Sequence, residues 1–123
     1  MLKVGIDIIG FARVERLLKN NEEGVLKRVL TPKEKESLVA NSFKQKTIYL
    51  AQKIASKEAF FKAIGTGIIS FKEVEILRNL QGKYIINVYG KSREVFESLN
   101  CKACDVSISC DRNIAIAICI IEL

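Results

Sequence analysis

The chain has 123 residues, 49% of them hydrophobic, with a single proline, which suits one cored domain spanning residues 1–123 and excludes a disordered chain. With 20 Lys and Arg against 14 Asp and Glu, the formal charge of +6 points to an anionic partner: a phosphorylated small molecule, an acidic protein, nucleic acid or a membrane surface. Asp7 interrupts the amino-terminal apolar run, and the longest uncharged apolar run, Ile114 to Ile121, is too short to span a bilayer, so neither a secretory signal nor a membrane segment is expected and the sequence places the protein in the cytoplasm.

In chain order, Lys3 to Ile9 alternates Val4, Ile6 and Ile8 with Gly5, Asp7 and Ile9, a strand pattern. Asp is disfavoured inside strands; Asp7 is either a turn or cap acid before the next helix, or a ligand held at a rigid strand end. Phe11 to Leu30 reads as two short helices broken near Asn20 and Asn21, with apolar stripes Val14, Leu17, Leu18 and Val25, Leu26, Val29, Leu30. Thr31, Pro32 and Glu34 form a capping box that opens another short helix, followed by a polar link from Asn41 to Lys46.

Leu50 to Gly67 reads as one helix closed by a glycine turn. Glu58 falls inside its apolar arc, between Ala51, Ile54 and Phe61, and is the only acid from Ser37 to Lys72. A carboxylate placed so is costly to desolvate unless something positive meets it; Lys62, one turn on, is the nearest cation, and Glu58 is therefore either half of a structural ion pair or a metal ligand. Beyond Gly67, Val74 to Leu77 and Tyr84 to Tyr89 form two strands joined by a turn at Gln81 and Gly82, Ser92 to Leu99 a short helix opened by a serine, and Val106 to Cys110 with Ile114 to Ile121 a second hairpin. The last strand is apolar on both faces, which puts it in the middle of a sheet or at a subunit contact. The class is α+β.

Cys101 and Cys104 have CxxC spacing, but with no histidine and no second pair the four cysteines read as small buried hydrophobes rather than a zinc site. Asp7 and Glu58 together are an oxygen-ligand set suited to Mg²⁺, which takes one or two carboxylates and completes its shell with waters and substrate phosphates. Lys53, Lys57 and Lys62 lie along the same helix, and cations beside a carboxylate-held metal describe a polyphosphate site. Gly65, Thr66 and Gly67 form either a plain helix cap or a turn whose bare backbone approaches a phosphate.

The strand GIDII with Arg13 six residues after Asp7, the LTPKE start at Leu30 to Glu34, and above all ASKEAFFKAIGTG resemble the holo-acyl-carrier-protein synthases, small phosphopantetheinyl transferases. The resemblance covers nearly the whole chain, including the closing SIS and IAIAI strands. It implies the 4′-phosphopantetheinyl transferase fold and transfer of 4′-phosphopantetheine from coenzyme A to a serine of an acyl carrier protein, releasing adenosine 3′,5′-bisphosphate. It also implies Mg²⁺ at Asp7 and Glu58 and a homotrimer with sites in the clefts between subunits; neither a nucleic-acid nor a membrane partner is expected. Lys62 matches the family's phosphate-binding lysine, and Arg13 with the helix after it, Leu17 and Arg28 included, matches the surface that docks the acidic carrier.

The match departs from the family at Gly10, usually an acid, and at Asp105 and Cys110, commonly histidines flanking the VSIS strand. Strand parity puts Asp105 and Ser107 on the face where the family contacts the coenzyme, and Cys110 on the core side as a buried filler. With no imidazole in the chain, the serine proton would leave to Glu58 or to water on the metal. A non-catalytic carrier-protein or nucleotide-binding module of the same fold is the alternative, and a nucleic-acid binder is disfavoured because no aromatic is interleaved with the basic helix residues.

Overall fold

The computed structural model describes residues 1–39 and 42–123, in an α+β arrangement. Strand β1 (Leu2–Gly10) leads into helix α1 (Phe11–Val29), the short α2 (Pro32–Ser37) and the long α3 (Phe43–Ile64). A single 3₁₀ turn (Phe71–Glu73) opens the hairpin β2 (Val74–Arg78) and β3 (Tyr84–Val88), followed by α4 (Gly90–Ser98), β4 (Ala103–Cys110) and β5 (Ile114–Glu122). An antiparallel sheet of three strands has the order β1-β5-β4, and β2 and β3 form a second, two-stranded sheet. The doubly apolar strand β5 is thus central, as its sequence requires.

Helix α3 lies against the inner face of the larger sheet and is the spine of the core. The approach is close at Gly5: a Cβ there would come within 2.0 Å of the Ala59 carbonyl oxygen and 2.6 Å of the Ala63 nitrogen. Only glycine lets β1 and α3 meet at that distance. The contact carries Asp7, two residues on and on the same side of the strand, up to the helix face that bears Glu58.

Each break in the helical region has a local cause. Within α1 the backbone of Asn21 leaves the helical region (φ −161°, ψ 80°), and its Oδ1 accepts a hydrogen bond from Gly24 N at 3.1 Å, an N-cap that starts the second half of the helix. At α2 the capping box is complete, with Glu34 N donating to Thr31 Oγ1 and Thr31 N donating to Glu34 Oε1. The core takes Val14, Leu18, Val25, Leu26, Val29 and Leu30 from this region, while Leu17 is only partly covered.

Two expectations about element limits and one about burial are corrected. Helix α3 starts at Phe43, capped by the Ser42 hydroxyl, so most of the polar link expected between Asn41 and Lys46 is its first turn; Asn41 lies outside the described residues. A polar first turn carries little apolar periodicity, which hides the helix start. Ser92 does not open α4: the helix begins at Gly90, and the Ser92 amide and hydroxyl both donate to Glu73 Oε1. Cys110 is exposed rather than a filler of the core, because it ends the edge strand, and its thiol lies 3.4 Å from Gln52 Nε2.

On the outer face of the larger sheet, Val4, Ile6 and Ile8 of β1 sit directly across from Ile120, Ile118 and Ile116 of β5. Ile6 and Ile8 are 59% and 58% exposed. Asp105, Ser107 and Ser109 of β4 continue the same three rows, so parity places them as expected. These rows give one face of the sheet an exposed aliphatic patch.

Candidate active site

Asp7 and Glu58 meet where β1 passes α3. Asp7 belongs to the inward row of β1 with Gly5 and Ile9, and its side chain is only 10% exposed. The Glu58 carboxyl is pushed up to about 7, first by burial, then by a hydrogen bond with Asp7 and by the Asp7 charge, while Arg13 and Lys62 pull it the other way. Two acids close enough to share a proton, with Arg13 and Lys62 acting on them, form one cluster of interacting charges.

Lys62 does not meet Glu58 as expected. Its Nζ donates to Asp7 Oδ1 at 3.1 Å and to the Ile6 carbonyl at 3.0 Å, bridging from α3 to β1. Beside this cluster runs a groove of about 490 Å³. Arg13, Leu17 and Arg28 line it from α1, Glu58 from α3, and Ile68 and Phe71 from the segment after α3. The groove therefore joins the expected docking residues to one of the two acids.

Residues 3–119 match the family model of the 4′-phosphopantetheinyl transferase superfamily. The chain belongs to this superfamily. A holo-[acyl-carrier-protein] synthase from Geobacillus sp. (strain WCH70) is 39% identical over 125 residues, covering 99% of this chain and 97% of that protein. The crystal structure of the Plasmodium yoelii holo-ACP-synthase superposes with a TM-score of 0.86 at 31% identity, covering 97% of this chain and 92% of that one. The Helicobacter pylori holo-[acyl-carrier-protein] synthase in complex with coenzyme A superposes with a TM-score of 0.81, also at 31% identity, covering 97% of this chain and 99% of that one.

Within this phosphopantetheinyl transferase fold, two of the expected coenzyme-binding lysines are turned elsewhere. Lys57 is fully buried: its Nζ pairs with Glu34 Oε1 at 2.6 Å and donates to the carbonyls of Val29 and Phe71. Lys53 is buried as well, with its Nζ donating to the Ile76 carbonyl. Both leave α3 on the side that faces α2 and β2, where they satisfy the main-chain oxygens of Val29, Phe71 and Ile76. Lysine charge at helical spacing does not reveal this; the signal was Glu34, visible in sequence as the capping-box acid but not as an ion-pair partner.

The glycine turn is a helix cap. Gly65 sits at φ 85°, its amide donates to the Phe61 and Lys62 carbonyls, and the Thr66 amide donates to Phe61. The Thr66 hydroxyl bonds the Gly67 carbonyl at 2.7 Å. Neither the Gly65 nor the Thr66 amide is a free donor for a phosphate. Asp105 and Ser107 are exposed on the outer sheet face, whereas Asp7 points inward to α3, so one copy of the chain does not bring them to the acid pair. Asp105 Oδ1 accepts from the Val106 amide of its own strand at 2.8 Å.

Proposed function

We propose that this protein is a holo-[acyl-carrier-protein] synthase, transferring 4′-phosphopantetheine from coenzyme A to a serine of an apo acyl carrier protein. The observation that carries the reading is the groove in which Arg13, Leu17 and Arg28 lead to Glu58, within a chain of this superfamily. No helix among the described residues is long and apolar enough to cross a membrane, in keeping with a cytoplasmic enzyme.

The residues fit a divalent cation of the Mg²⁺ kind. Their donors are all oxygen: two carboxylates already close enough to share a hydrogen bond, with the Ile6 carbonyl within 3.0 Å of the Lys62 amine that also touches Asp7. Among the described residues no cluster of three or more His, Cys, Asp or Glu side chains is present, so the shell is left to waters and phosphate oxygens, as Mg²⁺ prefers. Asp7 and Glu58 would hold the ion, and the chemistry it would supply there is a fixed positive charge for the coenzyme's pyrophosphate.

The chain's own groups do the rest. Arg13 and Arg28 hold the acidic carrier by charge, and Leu17 gives it an apolar footing. The carrier's serine is directed to Glu58, the one acid among the described residues lining the groove, which takes its proton in a chain without histidine. Lys62, on a half-exposed stem, neutralises charge on the leaving adenosine 3′,5′-bisphosphate. Asp105 and Ser107 reach a coenzyme only at the site of a neighbouring copy. Together with the aliphatic patch of Val4, Ile6, Ile8, Ile116, Ile118 and Ile120, this supports a homotrimer with sites between subunits.

The deciding experiment incubates the protein with apo carrier, coenzyme A and Mg²⁺ and follows the carrier mass. Gain of one phosphopantetheine supports the reading; carrier binding with no mass gain supports a non-catalytic module. Reversing both groove arginines, Arg13→Glu with Arg28→Glu, is expected to raise the carrier KM on the order of tenfold or more and the coenzyme A KM by less than about twofold. Steady-state kinetics at two salt concentrations check this, since the wild-type carrier KM should rise with salt. Equal damage to both substrates would place the docking surface elsewhere.

A further inference from the structure

Lys62 holds two oxygens, the Asp7 carboxylate at 3.1 Å and the Ile6 main-chain carbonyl at 3.0 Å, and a carboxylate with a carbonyl is the kind of donor set a hard divalent cation takes. The Asp7 side chain is 10% exposed and that of Lys62 55%, so the ammonium is the solvent-side partner of an otherwise enclosed carboxylate. An ion pair with one partner so exposed is weak, and a lysine stem can swing clear of it without disturbing the helix that carries it. Arg13 already acts on Glu58 from the α1 side, so a cation arriving at the acid pair finds each acid next to a resident positive charge.

We infer that Lys62 is a built-in competitor of the divalent cation: its ammonium occupies Asp7 until the cation displaces it, and the displaced ammonium is then free to meet the coenzyme's phosphates. Lys62 is in this respect a positioning residue that keeps Asp7 in place before the cation arrives. The competition links the two ligands. Whatever draws Lys62 off Asp7 tightens the cation, and by reciprocity the cation favours a phosphate-bearing ligand. This rests on the reading of Asp7 and Glu58 as the cation's ligands.

The test is a Mn²⁺ titration, without coenzyme or carrier, in which free Mn²⁺ is read by electron paramagnetic resonance. It compares the wild-type protein with Lys62→Met, Lys62→Arg and Asp7→Asn. Lys62→Met is expected to bind Mn²⁺ about tenfold more tightly than wild type, Lys62→Arg to stay within about threefold of it, and Asp7→Asn to lose most binding. Equal or weaker binding by Lys62→Met, with Asp7→Asn still defective, overturns the competition and leaves the cation site standing. Unchanged binding in Asp7→Asn, or no Mn²⁺ binding by any of the four proteins, overturns both.

Discussion

Glu58→Gln is expected to lower kcat/KM for carrier modification at least about a hundredfold while leaving the circular dichroism spectrum and melting behaviour of a folded protein. The substitution keeps the size of the side chain and its capacity to hydrogen-bond Asp7, but it removes the charge that would face a cation and the site that would take the serine proton. The same variant has a signature in the metal-free protein. Because the Glu58 carboxyl titrates near 7 when folded against 4.5 ordinarily, the folded chain keeps a proton that the unfolded chain releases as pH rises between those values. Stability of wild type in chelator should therefore fall as pH rises from about 4.5 to 7, and Glu58→Gln should remove that part of the dependence. Thermal melts across this range in chelator make the comparison. Normal turnover by the variant would sink the assignment, and so would its failure to fold.

Lys57→Met is expected to cost about 3–5 kcal/mol of stability, the usual range for breaking a buried ion pair from one side. The Lys57 and Glu34 side chains are both fully buried, so the variant strands the Glu34 carboxylate and takes the ammonium from the Val29 and Phe71 carbonyls, of which Phe71 still accepts from the Val74 amide. The hydrogen bonds Glu34 accepts from Thr31 N and Ile76 N compensate it only in part. Adding Glu34→Gln should recover part of the loss, because the stranded charge goes with it. Urea unfolding of the single and double variants checks both statements. A loss below about 1 kcal/mol accompanied by a raised coenzyme A KM would return Lys57 to the coenzyme-binding groups.

The contrast between these two neighbours on α3 shows what the sequence could and could not reveal. Glu58 was legible because an acid inside an apolar arc demands a partner, and Asp7 because an acid inside a strand needs a reason; the structure brings the two together. Lys57 was misread because a lysine is by default a surface charge, and helical spacing fixes only which face it leaves from, not how far its flexible stem reaches into the core. The pairing with Glu34 spans 23 positions and depends on how α2 packs, which no local pattern encodes. Strand β1 was legible from alternation, β5 from its unbroken apolar run, and the break in α1 from its two asparagines. The helix starts at Phe43 and Gly90 were not, since polar first turns lack apolar periodicity. Asp105 and Ser107 were placed on the correct face, but what lies opposite that face is another matter of assembly.

Strand β1 has no idle residue in its middle. From Gly5 to Ile9 the inward positions supply the helix contact and the acid, and the outward ones the aliphatic patch. A slip of one residue in its pairing with β5 would exchange the two sets at a stroke, turning Asp7 to the oily side and isoleucine against the main chain of α3. Drift along this segment is therefore coupled: the inward half answers to chemistry inside one copy, the outward half to whatever surface it meets. A length change in β1 has no neutral outcome, so family members should keep its span fixed.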